Sequence, residues 1–112
     1  MKWYKKLYYG ENARKVKYKI FGKIAKSRLT FDTFLIILPS NKENLLDIVS
    51  ADFLKQSHFK NKKIQNTIYV IGIAKGKKEA FEVVRTIIDE VYQATKGFDI
   101  PKYLHFGNEK KK

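Results

Sequence analysis

Residues 67–94 read TIYVIGIAKGKKEAFEVVRTIIDEVYQA, and this stretch decides the fold class. Its first part, Thr67 to Ala74, is an apolar run of strand length that is rich in β-branched residues, so it predicts a buried strand. Gly76 interrupts the run, and Lys78 to Ala94 then repeats apolar residues at helical spacing. The apolar stripe of this helix consists of Ala80, Val83, Val84, Ile87, Ile88 and Val91. A buried strand that leads directly into an amphipathic helix is typical of α/β proteins.

A second strand is predicted at Phe31 to Leu38, whose uninterrupted LIIL core indicates burial on both faces. Residues 12–26 fit two structures. Their apolar residues share one helical face with lysines opposite, yet Val16, Tyr18 and Ile20 also alternate with lysines, as in a strand. The helical pattern covers more of the residues, so we favour a helix there.

The segment after the second strand allows two interpretations. In one, Ser40 and Glu43 form a capping box that begins a helix. In the other, residues 39–44 form a loop, residues 45–49 form a short strand, and Ser50 caps a later helix. The sequence favours neither.

The first nine residues, MKWYKKLYY, are aromatic and basic. Trp3 lies four residues before Leu7, which is helical spacing, and Tyr4 and Tyr8 repeat it. The segment is too short to be a stable helix by itself. We therefore expect it to dock as an arm, most simply on the core of its own domain.

These elements predict an α/β (or α+β) fold, a small single-domain sandwich in which helices cover a short, mainly parallel sheet. The strand–helix–strand–helix order predicts parallel neighbours joined by a right-handed crossover. We divide the chain into an N-terminal arm at residues 1–9, one domain at residues 10–106, and a lysine-rich tail at residues 107–112 that we expect to be disordered. Residues 98–106 are aromatic and should pack back onto the domain.

The composition limits the classes of protein. Hydrophobic residues make up 44% of the 112 residues, which is enough for a folded core. Cysteine is absent, so the chain has neither disulfides nor thiolate metal ligands. We find no apolar run of the roughly 18 to 20 residues that a membrane-spanning helix needs, and no secretory signal pattern. A cytoplasmic location is the expectation.

The net charge of +13 is concentrated near the N-terminus. Residues 1–30 hold ten lysines and arginines against the single acid Glu11, which gives +9. A concentrated basic surface attracts phosphates more strongly than the same charge spread evenly. Lysines outnumber arginines, however, which also fits lysines that simply face solvent.

The best candidate surface combines lysines with aromatic residues. At helical spacing, the lysines of residues 12–26 would form a ridge about 16 Å long that can follow a phosphodiester backbone. The arm supplies aromatic rings that can stack on bases. The candidate binding residues are Lys2, Trp3, Tyr4, Lys5, Lys6, Lys15, Lys19, Lys23 and Lys26. In the alternative interpretation, the rings dock on the core and the lysines only face water.

A second candidate is an anion-binding turn between the predicted strand and helix, where open N–H groups favour anions. Its residues are Gly72, Lys75, Gly76 and Lys77. The spacing is not that of a phosphate-binding loop, because three residues rather than four separate the glycines. Glu79 and Glu82 follow closely and would repel a phosphate.

Catalytic signals are weak. The acids are scattered over different elements, and His58 and His105 lie apart, so neither a metal cluster nor a catalytic triad can be assembled. We expect no catalytic residue, no metal ligand and no cofactor, and the enzyme class stays uncertain with a non-catalytic role favoured.

Five short stretches of the sequence carry a resemblance to other proteins: WYKKLY, GENARKVKYKI, LPSNKENLLDI, IGIAKGKKEA and IIDEVY. In these phrases the chain resembles a family of short, basic, uncharacterised bacterial proteins. The resemblance implies that residues 3–95 form one unit, and it implies no activity, ligand or site residue.

The sequence therefore predicts a non-catalytic polyanion-binding protein whose partner is nucleic acid, with DNA and RNA not distinguished. The alternative is a protein-interaction module: a homodimer held by the arm, or an accessory subunit of an acidic protein. A third hypothesis is a small phosphate-ligand domain that uses the turn at residues 72–78.

Overall fold

The described part of the chain folds around one four-stranded sheet with helices on both faces. The computed structural model describes residues 2–25, 32–38, 45–52 and 68–104, and the statements below concern these residues. The strands are β1 (Lys2–Tyr9), β2 (Thr33–Ile37), β3 (Asp47–Ser50) and β4 (Tyr69–Lys75). The helices are α1 (Glu11–Lys15), α2 (Lys17–Ala25), α3 (Lys77–Thr95) and α4 (Ile100–Leu104). The strand and helix predicted within residues 67–94 are confirmed as β4 and α3.

The sheet is mixed, with the strand order β1-β4-β2-β3. β1 runs parallel to β4, whereas β2 runs antiparallel to both β4 and β3. The prediction of a mainly parallel sheet is therefore wrong, although the mixture of helices and strands is confirmed. The order of elements along the chain did not reveal that β4 enters between β1 and β2, which separates two strands that are consecutive in sequence.

Each face of the sheet has its own core. On one face, α3 and α4 pack against Ile36, Ile71 and Ala74. On the other, Ala13 of α1 and Ile20 of α2 pack with a cluster of strand residues. That cluster contains Leu35, Val70 and Ile73. The protein is thus a three-layer sandwich, and the basic helices α1 and α2 lie on the face opposite α3.

A β-bulge in β4 determines which of its side chains point toward each of the two cores. Ile36 pairs with Gly72 but the next residue, Ile37, pairs with Val70, so β4 carries an extra residue at this point. The bulge places Val70 and Ile73, three residues apart, in the same core. A side chain at Gly72 would lie 3.2 Å from Val83 Cγ1, so this glycine permits close packing of β4 against α3.

Residues 2–9 are a sheet strand rather than a helical arm. Trp3 and Leu7 pack toward the α1–α2 core, and Tyr4 and Tyr8 pack toward the α3 core. A spacing of four places two residues on one face of a strand as well as of a helix, so the spacing could not distinguish the two. Docking on the domain's own core is what the structure shows.

The other predicted strands and helices are confirmed in part. The strand at Phe31 to Leu38 is confirmed as β2, and the helix favoured at 12–26 is confirmed but is broken at Val16. Of the two interpretations of the middle segment, the short strand is confirmed by β3, and the Asp52 N–H donates to Ser50 Oγ at 3.3 Å. The proposed capping box at Ser40 and Glu43 lies outside the described residues.

The chain after α3 returns to the core, as predicted. α3 runs to Thr95, and the next residue, Lys96, ends the helix by adopting the left-handed conformation with φ 59°. Ile100 and Leu104 of α4 are buried beside α3. The tail at residues 107–112 lies outside the described residues. Within the described ranges, no helix has both the length and the apolar character needed to cross a bilayer.

Candidate nucleic-acid interface

The basic segment after β1 folds as two short helices at an angle set by Val16. Val16 ends α1 with φ −124° and ψ 24°, and its carbonyl accepts the N–H of Ile20 at 3.1 Å, which starts α2. Lys15 therefore belongs to α1 and Lys19 to α2, both with exposed side chains. The predicted lysine ridge does not follow a single helix. Lys23 continues along the backbone of α2, and Lys26 lies outside the described residues.

Two tyrosines and two cations form a patch on this surface, the Tyr9–Tyr18 patch, which consists of Tyr9, Arg14, Lys17 and Tyr18. The Arg14 guanidinium carbon lies 5.9 Å from the centre of the Tyr9 ring, and Lys17 Nζ lies 5.5 Å from it. Lys17 Nζ is also 5.2 Å from the centre of the Tyr18 ring. These are distances at which a cation interacts favourably with an aromatic face. The patch thus joins the end of β1 to the start of α2.

Tyr18 is the unusual member, because its side chain is 81% exposed. Large aromatic side chains normally bury most of their area in the core or in an interface. The ring instead stands in solvent, with Lys17 Nζ beside it and the exposed Lys19 next in the chain. An exposed ring flanked by cations is the arrangement that proteins use to stack on unpaired bases.

The charge of the two helices is one-sided. Residues 11–25 carry one arginine, four lysines and the single acid Glu11, a net charge of +4. Burial, and to a smaller extent the nearby Tyr18, raise the pKa of Tyr9, and Arg14 opposes this. The Tyr9 hydroxyl therefore stays protonated at neutral pH and adds no negative charge to the patch.

The candidate residues of β1 have different positions. Trp3 and Tyr4 are half-buried on opposite faces of the sheet, where they pack against the two cores. Lys5 and Lys6 are exposed in the stretch of β1 between Trp3 and Tyr8, where pairing with β4 is irregular. Lys2 pairs with Tyr69 through its backbone. The structure brings Arg14, Lys17 and Tyr18 together, none of which the sequence singled out.

One sequence signal pointed to Tyr18. It stands in the tripeptide Lys17-Tyr18-Lys19, so the aromatic residue has a lysine on either side of it in the chain. The alternation with lysines instead suggested that Tyr18 belonged to the apolar face of a strand. Only the helix α2 shows that the ring is exposed.

The turn at residues 72–78 holds a carboxylate of its own. Glu79, which is 7% exposed, accepts the N–H of Lys75 at Oε2 over 2.6 Å. The same carboxylate accepts the N–H groups of Asn12 at 2.7 Å and Ala13 at 3.2 Å. A backbone N–H that an anion would need at this turn is thus already bound. We do not propose an anion site there.

The two other turn residues have backbone roles or face solvent. Gly76 has φ 85° and ψ 153°, a region that is accessible essentially only to glycine, and it starts α3. Lys77 is exposed in the first turn of α3. A substitution at Gly76 would therefore destabilise the start of α3, so it could not test separately whether this turn binds an anion.

A cleft of about 440 Å³ opens beside this turn. It lies where the parallel strands β1 and β4 end and their chains leave toward opposite faces, a common place for ligands in α/β sheets. Among its lining residues are Glu11, Glu79, Glu82, Lys75 and Lys78. Acids outnumber lysines there, so the cleft suits a polyanion less well than the surface of α1 and α2 does.

Within the described ranges, no group of three or more histidines and acids is placed to hold a metal ion. No protein-family model matches the chain, and neither a curated protein nor a solved structure matches it. The resemblance to short basic bacterial proteins stays a prediction.

Proposed function

We propose that this chain is a non-catalytic polyanion-binding protein that binds nucleic acid through the exposed surface of α1 and α2. The observation that carries the proposal is the Tyr18 ring, exposed in water beside Lys17. A cytoplasmic location, which we expect from the lack of cysteine, would give it access to such a partner.

Charge and ring make separate contributions to binding. Lysines that neutralise phosphates release condensed counterions, which favours binding at low salt without regard to base sequence. The ring adds stacking, roughly 1–3 kcal/mol per base, and every base offers a face for it. Lys15 and Lys19 supply exposed charge close to Tyr18 in the chain. We therefore expect binding with little sequence preference.

Stacking also favours unpaired bases over a duplex. The faces of bases inside a double helix are covered by their neighbours, so an exposed protein ring can reach them only in single strands, loops or ends. We expect a single-stranded oligonucleotide to bind more tightly than a duplex of the same length.

The exposed ring gives a direct test. Tyr18→Ala should weaken the binding of a fluorescently labelled, mixed-sequence single strand by about 5- to 150-fold, the range equivalent to the loss of one stacked base. The matched control is Phe81→Ala, which removes another exposed ring from the opposite face of the sheet and should leave affinity unchanged. Equal affinities of Tyr18→Ala and the unmodified chain would refute stacking at this site.

Tyr18→Ala also separates nucleic acid from an acidic protein partner. An acidic protein would be attracted by the lysines but offers no base for the Tyr18 ring to stack on, so its affinity should depend little on that ring. If poly-glutamate competes with the oligonucleotide as well as a second oligonucleotide does, the partner class is polyanions in general rather than nucleic acid.

A second candidate function, the protein-interaction module, is favoured by a different observation. Phe81, Tyr92 and Phe98 are exposed on the α3 side of the sheet, away from the basic surface. The rings of Tyr92 and Phe98 stack with centroids 5.2 Å apart, and exposed apolar residues in contact with one another mark interaction surfaces.

A further inference from the structure

The outer flank of α3 carries two exposed aromatic rings, Phe81 and Tyr92, with the exposed Arg85 and the half-buried Ile88 between them. Phe81 is 63% exposed, and Arg85, Ile88 and Tyr92 follow it at spacings of four, three and four residues, on one side of the helix. Phe98 extends this flank, because its ring stacks on Tyr92 with centroids 5.2 Å apart and planes 22° from parallel. Aromatic residues thus lie at both ends of the helix surface.

The charge of α3 distinguishes it from the rest of the chain. Its charged residues are Lys77, Lys78, Arg85, Glu79, Glu82, Asp89 and Glu90, which sum to −1. The whole chain carries +13, so two copies repel each other wherever their basic surfaces meet. Contact through α3 avoids this repulsion. An acidic partner would find little electrostatic attraction there, because the helix has no excess of positive charge. The surface therefore fits a partner with balanced charge.

The positions of the two aromatic rings are compatible with a two-fold axis. An axis that crosses the helix between Thr86 and Ile87 relates position 81 to 92 and position 85 to 88. Two α3 helices packed antiparallel about such an axis would place Phe81 of one copy against Tyr92 of the other at both ends. This self-complementarity is what an isologous dimer interface requires.

The central charges are complementary in the same arrangement. Arg85 and Asp89 form a loose ion pair within α3, with Nε and Oδ2 4.0 Å apart and both side chains exposed. Such a pair contributes little to stability inside one chain. In the antiparallel arrangement, Arg85 of one copy lies close to Asp89 of the other, so two pairs can form across the axis.

The edges of the sheet offer a poorer route to a dimer. β1 is an edge strand, but Lys5 and Lys6 project from its irregular middle, and two copies joined there would bring four lysines together. Lysines and bulges on an edge are devices that oppose strand-to-strand association. The opposite edge, β3, is only four residues long.

We propose that the Phe81–Tyr92 flank of α3 is the interface of a two-fold homodimer, with a second copy of this chain as its occupant. The interface rests on the second candidate function, the protein-interaction module, and does not depend on nucleic-acid binding. Because α1 and α2 lie on the opposite face of the sheet, the dimer leaves both basic surfaces on its outer sides.

The test is sedimentation velocity of the full chain over a concentration series, after bound nucleic acid has been removed with 1 M salt. We expect a species of twice the 13.2 kDa chain mass whose fraction grows with concentration. Phe81→Glu should shift the equilibrium to monomer, whereas Tyr18→Glu, on the opposite face, should leave the dimer intact. Circular dichroism verifies that each variant is folded.

A charge exchange gives a second, independent readout. Arg85→Asp should weaken the dimer by about 5-fold, because it replaces two attractive pairs by contacts between acids, and adding Asp89→Arg should restore it by reversing each pair. A monomer at all concentrations overturns the proposal, as does a dimer that Phe81→Glu and Arg85→Asp both leave unchanged. Nucleic acid is absent from this measurement. A failure of the proposed dimer can therefore be distinguished from a failure of the proposed nucleic-acid binding.

Discussion

Gly10 and Glu79 are in such close contact that no other residue fits at position 10 without a shift: a methyl group on Gly10 would lie 2.2 Å from Cδ and Oε2 of Glu79. The glycine links β1 to α1, and the glutamate lies in the first turn of α3. The Glu79 carboxylate joins these two regions through the N–H groups of Asn12, Ala13 and Lys75. A buried carboxylate thus holds the basic helices in place beside the sheet.

Gly10→Ala should destabilise the protein by about 2 kcal/mol, because Glu79 must move and weaken its hydrogen bonds. Urea unfolding followed by circular dichroism measures the change. The control is Gly22→Ala in α2, where an added methyl group meets nothing within 4 Å. Alanine is the better helix former, so the control should gain about 0.5–1 kcal/mol. A Gly10→Ala protein as stable as the original would contradict the close contact.

A double-mutant cycle tests whether Glu79 is the cause of that cost. Glu79→Ala should itself cost about 2–3 kcal/mol, because it leaves three backbone N–H groups without their acceptor. In the Glu79→Ala background, however, Gly10→Ala should cost much less than it does alone, since the colliding carboxyl group is gone. Additive costs in the double variant would show that the two residues act independently.

Alkaline pH should reveal a tyrosine cluster on the α3 face. Tyr8 of β1 donates a hydrogen bond to Glu90, and Tyr103 of α4 meets the same carboxylate. Burial first, and then Glu90, raise the pKa of both hydroxyls above the ordinary value of 10.0. The folded state therefore keeps protons that the unfolded state loses, so this stability is complete below pH 10 and falls as pH rises above it.

Tyr8→Phe isolates this effect. At neutral pH it should cost about 1 kcal/mol through the lost hydrogen bond. Its stability should then fall less steeply than that of the unmodified chain between pH 9 and pH 11, because one linked proton is missing. Lysine titration is common to both proteins and cancels in the comparison. Parallel stability curves over this range would contradict the raised pKa of Tyr8.

The sequence predicted the elements better than their arrangement. Periodicity identified α3, β2 and β4, since apolar repeats directly reflect which face of an element is buried. It missed the position of β4 between β1 and β2, because strand order depends on long-range pairing that local patterns do not contain. The first nine residues were interpreted as a docking arm with helical spacing, whereas residues 2–9 form the strand β1, because a spacing of four fits both a helix and a strand.

The candidate surface was predicted in outline and corrected in detail. Counting charge located the basic region in residues 1–30, and the break at Val16 divides the ridge expected within it between two helices. Trp3 and Tyr4 pack against the cores, whereas Tyr18 is exposed. Which of several aromatic residues stays in solvent is decided by tertiary packing, and composition cannot show it.

Salt dependence tests the nucleic-acid proposal most directly. For single strands, the logarithm of affinity should fall linearly with the logarithm of salt concentration, by about 0.7 for each phosphate neutralised. Lys15→Gln with Lys19→Gln should lower the steepness of that slope by about 1.4, the equivalent of two phosphates. Lys96→Gln with Lys102→Gln removes two exposed lysines from the end of α3 and from α4, and should leave the slope unchanged. An affinity that does not depend on salt, or equal slopes in the two double variants, would contradict binding through α1 and α2.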